Sequence, residues 1–262
     1  MTTADPTSEL LDRLAASADE AAHTGTAIAQ FTHEHDIGPD DAYAIQAKSI
    51  EHRLERGERL VGVKMGLTSK AKMIQVGVDE VIWGRLTDAM RVADGATLSL
   101  GNYVHPRLEP EIAFLMGAPL SGRVSAAEAR AAVAAVAPAG EIIDSRFENF
   151  QFSLPDVIAD NSSSSGFIVG DWSAPDTPIG NLGMVLERNG RPVEVGSSAA
   201  ILGDPIRSLV EASRVVAGAG MRLEPGWIVL AGGATAAVPL TAGDSLRIVV
   251  ERLGAVHLSV AP

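Results

Sequence analysis

The chain has 262 residues, enough for one large domain or one domain with a helical appendage, and 46% of them are hydrophobic, so a sizeable core is available. A formal charge of -12 argues against non-specific nucleic-acid binding, because no basic tract is present to neutralise phosphates. The absence of cysteine excludes disulfides, thiolate-bound metals and a cysteine nucleophile.

Met1-Thr2-Thr3-Ala4-Asp5-Pro6 lacks the basic and apolar stretches of a leader, and no apolar run reaches the ~18–20 residues of a membrane span, so a cytoplasmic protein is expected. Residues 7 to 57 read as helices. Leu10, Leu11, Leu14, Ala15 and Ala18 recur at helical spacing, and Ala42, Ile45, Ile50 and Leu54 continue it after Gly38-Pro39-Asp40, with Asp40 as the expected N-cap. From Leu60 onward short apolar runs alternate with Gly, Asp and Asn, at Leu60–Met65, Ile112–Met116, Gly166–Val169 and Met184–Leu186. Asn189-Gly190 between two alternating runs predicts a hairpin over 184–195.

Two helices are expected within the strands. One is the Ala-rich stretch Ser125–Val136, opened by a Ser125/Glu128 capping box; the other is Asp204–Ala219, opened by Asp-Pro and closed at Gly220. Trp227–Leu230, Ser245–Arg252 and Val256–Val260 read as strands. Strand–helix–strand units of regular length are few, so the pattern predicts an α+β fold over a doubly wound sheet: a helical region at 1–60 and a β-rich part at 61–262.

The segment richest in chemistry is His105-Pro-Arg107-Leu-Glu109-Pro-Glu111-Ile-Ala-Phe114, followed by Gly140-Glu141-Ile-Ile-Asp144-Ser-Arg146. On a strand, Glu109 and Glu111 share one face while Ile112 and Phe114 turn the other way, into a core. Two readings stand level: a solvated pair on an edge strand, or, with Glu141, an oxygen-only site for a hard divalent ion such as Mg²⁺ or Mn²⁺. Lys64 is read either as the solvent face of a strand or as a cation projecting into a pocket. Asp160-Asn161-Ser162-Ser163-Ser164-Ser165 is either a flexible loop or a tight turn whose hydroxyls and N–H groups meet a carboxylate. Gly232-Gly233-Ala234-Thr235 at a strand end is either a simple turn or a close backbone approach to a ligand. No Ser-His-Asp or zinc spacing occurs.

Taken together, Val63-Lys-Met-Gly-Leu-Thr-Ser69, Trp83-Gly-Arg-Leu-Thr-Asp-Ala-Met90, His105–Phe114, Glu141–Arg146, Ala159–Ser164 and Gly232–Thr235 resemble, in order, the 2-oxopent-4-enoate hydratase and 4-oxalocrotonate decarboxylase family of the fumarylacetoacetase superfamily. The resemblance implies a curved β-roll with peripheral helices. It implies a divalent metal, Mg²⁺ or Mn²⁺, on Glu109, Glu111 and Glu141, with Lys64 as a catalytic residue and Ser163, Ser164 and Thr235 binding substrate. Its substrates are 2-oxo acids from meta-cleavage of aromatic compounds.

Hydratases of the family carry Gln-Pro-Lys where this chain has His105-Pro-Arg107, and an Asp where it has Ile82. The stretches Lys64–Met73 and Phe152–Asn161 also look like the decarboxylase branch. The resemblance therefore implies decarboxylation of the 2-oxo dicarboxylic acid 2-oxo-3-hexenedioate, with hydration of 2-hydroxypenta-2,4-dienoate as the alternative. A non-catalytic partner of a sister hydratase is the alternative of another class. A homo-oligomer and a complex with a homologous hydratase are further expectations. Gly140 stands where relatives carry a larger apolar residue, which is expected to loosen the strand holding Glu141.

Overall fold

The computed structural model describes residues 7–69, 73–74 and 80–262; the leader reading at 1–6 and the Lys70-Ala71-Lys72 part of the decarboxylase-like stretch fall outside them. Two helices open the chain. In α1 (Ser8–Thr24) Thr7 Oγ1 accepts the Leu10 N–H, and Gly25 closes the helix in the left-handed region at φ 61°. The helix α2 (Pro39–Glu55) begins two residues earlier than the Asp40 cap predicts, with Gly38 as its N-cap. Pro39 takes the first position and the Asp41 carboxylate turns back to accept the Gly38 N–H at 3.0 Å.

The strands β1 (Leu60–Gly66), β2 (Ile82–Thr87), β3 (Thr97–Leu98) and β4 (Arg107–Met116) follow. After them come the short helix α3 (Ala126–Ala131), β5 (Val133–Ile143), the short helix α4 (Leu154–Ala159) and β6 (Ser164–Val169). The hairpin β7 (Gly183–Arg188) and β8 (Arg191–Ser197) turns at Asn189-Gly190, both left-handed at φ 53° and 74° as that dipeptide predicts. Then come α5 (Pro205–Gly218), capped by Asp204 on the Ile206 N–H, and β9 (Ile228–Leu230), β10 (Val238–Pro239), β11 (Ser245–Val250) and β12 (Gly254–Val260).

A mixed sheet runs β2-β1-β9-β4-β5-β6, with β10 also on β4; a second runs β3-β12-β11-β7-β8. Pairing is mostly antiparallel, with β1–β9 and β3–β12 parallel, so the α+β expectation holds. The main core lies between the sheets. Leu108, Ile112, Phe114 and Met116 of β4 meet Met184, Leu186, Leu246, Ile248, Val256 and Leu258 there. A second cluster packs α1 and α2 against α4 through Leu14, Ala18, Ile45, Phe147, Val157 and Ile158.

The Ala-rich helix is shorter than its composition predicts. It stops after one capped turn, with Ser125 and Glu128 holding the box, and the chain becomes strand at Val133. Pro138 is incompatible with a continuing helix. The eleven-residue β5 instead runs antiparallel to β4 and pairs with it, so tertiary burial overrides alanine's helix propensity.

Gly140 does not loosen its strand. A Cβ there would stand 2.8 Å from Ile248 Cδ1 and 3.1 Å from Leu108 Cδ1, so those side chains already fill the space. Gly140→Val is expected to destabilise the metal-free protein by about 1–3 kcal/mol through overpacking. Urea denaturation checks this, and an unchanged midpoint would contradict it.

Candidate functional site

Alternation along β4 sends Arg107, Glu109 and Glu111 to one face and Leu108, Ile112 and Phe114 to the core. The antiparallel register places Glu141 of β5 directly opposite Glu109. One oxygen from each of Glu109, Glu111 and Glu141 lies within 4.8 Å of the others. Relative exposures of 6%, 0% and 0% rule out the solvated-pair reading.

The segment after β9 crosses this face. Ala231 donates its N–H to the Ile112 carbonyl and Ala234 to the Pro110 carbonyl, both at 3.0 Å. Between them Gly232 N–H donates to Glu111 Oε2 at 2.7 Å. Gly232 has φ 104°, and a Cβ there would stand 2.0 Å from Thr68 Oγ1, so only glycine brings the backbone this close. Glu111 Oε1 and Glu141 Oε1 are buried without a hydrogen-bond partner.

Burial raises the Glu111 pKa well above the carboxylate range, and repulsion from Glu141 and Glu109 adds to it; Lys64 and the Gly232 N–H oppose it. Glu141 is raised by burial, with Lys64 the largest opposing influence. Three buried carboxylates with spare lone pairs and, among the described residues, Lys64 as the neighbouring cation suit a hard divalent ion. The raised values have a sign. The carboxyls favour the protonated form in the metal-free fold, so stability present below the ordinary carboxylate range is lost as pH rises through the raised values. The metal-free protein is therefore expected to melt lower as pH climbs from 5 to 8. Mg²⁺ is expected to suppress the fall and to bind more tightly with pH, since binding releases protons. Differential scanning calorimetry with and without the ion checks this; a flat metal-free profile would contradict it.

Lys64, at the centre of β1, projects inward and not to solvent. It is 4% exposed, with Nζ 3.1 Å from Glu141 Oε2 and donating to the Ser162 carbonyl at 2.8 Å. The serine segment is an ordered turn. After α4, Asn161, Ser162 and Ser163 all take positive φ, at 48°, 52° and 59°. Three consecutive non-glycine residues in this region cost roughly 1–2 kcal/mol each, so the surroundings must enforce the turn.

The enforcing contacts are visible. Asn161 brackets β2, accepting the Arg85 N–H at 2.8 Å and donating to the Arg85 carbonyl at 2.9 Å. Ser162 Oγ donates to the Trp83 carbonyl. Arg146 pairs through Nε with the buried Asp160 and donates from a second nitrogen to the Asp160 carbonyl. The Ser163 hydroxyl remains buried without a partner, while that of Ser164 lies beside Glu141 and helps hold its charge.

A cavity of about 760 Å³ opens over this floor, lined by Lys64, Glu109, Ser162 and Ser163 at its polar end. Ile82, Leu154, Val157, Phe150 and Phe152 form apolar walls, with Arg107 on the same lining. Among the described lining residues Glu109 is the one acidic side chain. Gln46 of α2 braces the wall, its Nε2 donating to the Trp83 and Ile158 carbonyls at 3.1 and 2.8 Å.

Thr235 is not brought to this cavity. Its hydroxyl donates to the Ala236 carbonyl at 3.0 Å and its methyl lies over Gly196 of β8, so Ala236 and Ala237 line the space instead. His105 holds the approach to β4. Its N–H and that of Val104 donate to Asp144 at 2.7 and 2.9 Å, and its ring packs on Phe150. Sequence reading quoted Asp144 and Arg146 within a motif but gave them no role. It also missed the Arg107–Phe150 contact, which only the folded chain creates.

Residues 65–261 match the model of the fumarylacetoacetate (FAA) hydrolase C-terminal family. The chain is 55% identical over 249 residues to a 4-oxalocrotonate decarboxylase of Pseudomonas sp., covering 95% of this chain and 97% of that one. A 2-keto-4-pentenoate hydratase of Paraburkholderia xenovorans (strain LB400) is 37% identical over 85% of this chain and 84% of its own. The solved 4-oxalocrotonate decarboxylase from Pseudomonas putida G7, complexed with magnesium and adipate, superposes with a TM-score of 0.95. It is 36% identical over 98% of this chain and 100% of that one.

Proposed function

We propose, from the premise that this chain belongs to the fumarylacetoacetate hydrolase C-terminal family, that it is a divalent-metal-dependent carboxy-lyase. It converts 2-oxo-3-hexenedioate (4-oxalocrotonate) to 2-hydroxypenta-2,4-dienoate, a step in the meta-cleavage degradation of aromatic compounds. The observation that carries the reading is the buried Glu109–Glu111–Glu141 triad under a cavity, in a chain 55% identical to a decarboxylase of that substrate.

Glu109, Glu111 and Glu141 hold Mg²⁺ or Mn²⁺, in line with the magnesium and adipate found with the Pseudomonas putida relative. When bound, the ion supplies Lewis acidity toward the 2-oxo group of the substrate. The chain's own residues do the rest. Lys64 sets a positive charge at the polar end of the cavity, where the C2 oxygen gains negative charge. The Ser163 hydroxyl, unpartnered at the end of the strained turn, and the Ser164 hydroxyl next to it, beside Glu141, orient the C1 carboxylate.

The apolar walls around Ile82 and Val157 exclude water from the bond that breaks. As CO₂ leaves, the C5–C6 electron pair forms the C4–C5 double bond. The C3–C4 π pair moves to C2–C3, and the C2 oxygen takes the charge and then a proton.

Hydration of 2-hydroxypenta-2,4-dienoate is the second reading, and one observation weighs against it. Protonation and water attack call for an additional acid/base carboxyl. Among the described residues the cavity offers only Glu109, already a ligand, and Ile82 stands where hydratases carry an Asp. Supplying the Mg²⁺-loaded chain with each compound in turn separates the readings. CO₂ release from 2-oxo-3-hexenedioate is expected, and water addition to the dienoate without CO₂ release would overturn the assignment. The same CO₂ release excludes a purely stabilising partner.

The reading carries further proposals: a helical region at 1–60 that braces a catalytic part at 61–262, a cytoplasmic location, a homo-oligomer, and association with a homologous hydratase that receives the unstable dienol. Among the described residues no helix is long and apolar enough to cross a membrane. Light scattering of the chain alone and with such a hydratase tests the two assemblies.

A further inference from the structure

Arg107 is a cation on the cavity lining with no carboxylate partner among the described residues. Its guanidinium carbon sits 4.0 Å from the centre of the Phe150 ring. Stacking of this kind fixes the guanidinium plane and leaves its N–H edge free to donate. Phe150 is held for the task. Asn149 and Phe150 both adopt positive φ, at 59° and 56°, and the ring is wedged between His105 and Phe152. Two consecutive non-glycine residues in this region mark a turn that its surroundings impose.

The strand sets the distance. Arg107 and Glu109 are two residues apart on one face of β4, ~6.6 Å along the strand. A six-carbon acid with its 2-oxo carboxylate end over the triad has its other end in this neighbourhood.

We infer that Arg107, stacked on Phe150, is the binding residue that reads the distal carboxylate, and so selects a dicarboxylate over a monocarboxylate. This rests on the decarboxylase reading. It adds a consequence for turnover: the distal carboxylate is the group that leaves as CO₂, so the reaction itself removes the Arg107 contact. The product is then retained only at the triad end.

The test uses the Mg²⁺-loaded full chain with two probes of equal length, adipate and hexanoate, by isothermal titration calorimetry. The unaltered chain is expected to prefer adipate by at least about tenfold, the worth of a charge-assisted hydrogen bond. Arg107→Met is expected to bring adipate down to the level of hexanoate, leave hexanoate unchanged and raise KM more than it lowers kcat. Arg107→Lys keeps part of the preference, and Phe150→Leu reduces it by loosening the guanidinium. An adipate-to-hexanoate ratio in Arg107→Met equal to that of the unaltered chain, with Mg²⁺ binding intact, would overturn the inference. CO₂ release is a separate readout: its absence in the unaltered chain sinks the decarboxylase reading, whereas an unchanged probe ratio sinks only the role of Arg107.

Discussion

Glu109→Gln is expected to lower magnesium-dependent turnover by at least about 10³-fold, as loss of several kcal/mol of metal-derived stabilisation implies. Gln keeps the volume and one carbonyl oxygen but removes the charge, so the triad drops from three anionic ligands to two. The fold is expected to survive. Glu109 is one of the charges that push up Glu111 and Glu141, so removing it relieves repulsion in the metal-free protein. The variant should therefore melt at or above the unaltered chain without metal, yet gain less from added Mg²⁺. Chelation, restoration with Mg²⁺ and kinetic assay check both halves. Full activity after restoration would remove Glu109 from the ligand set.

Lys64→Met separates a cationic catalytic role from metal binding. Lys64 touches Glu141 but offers no lone pair to a metal while protonated, so Mg²⁺ affinity at pH 8 is expected to stay within about tenfold while kcat falls about 10²–10³-fold. The stability effect depends on pH. Breaking a buried ion pair by removing one partner costs about 3–5 kcal/mol when the other stays charged, and both partners here are almost wholly inaccessible. Burial already pushes Glu141 toward its protonated form, so the loss is expected to be smaller at pH 6 than at pH 8, and Mg²⁺ should restore it. Denaturant unfolding at both pH values, with and without the ion, reads this. Undiminished kcat in Lys64→Met would remove the lysine from the chemistry.

The parts of this molecule legible in the sequence are those governed by local rules. Alternation alone put Glu109 and Glu111 on one face and Ile112 and Phe114 on the other, and β4 shows that division. Asn189-Gly190 specified its hairpin, and Asp204 its helix start, because turn and cap chemistry acts over two or three residues. What was hidden depends on register and tertiary packing. The pairing of Glu109 with Glu141 needs β4 and β5 aligned residue by residue, and spacing along the chain carries no record of that. Val133–Val136 reads as the end of a helix by propensity and becomes strand because β4 offers it a partner and a buried face. Thr235 sits next to the cavity-lining Ala236 and yet packs toward β8. Lys64 could be read in two ways because a lone lysine on a strand does not reveal which face is solvent. The burial of Glu141 beside it decides the matter.

The central claim is that three buried carboxylates form the metal site of a decarboxylase, and anomalous scattering from crystals of this chain grown with Mn²⁺ tests it most directly. One strong peak is expected among the carboxylate oxygens of Glu109, Glu111 and Glu141, on the floor of the cavity that holds Lys64 and Ser163. Strong Mn²⁺ peaks confined to surface carboxylates, with the triad empty at saturating ion, would contradict it.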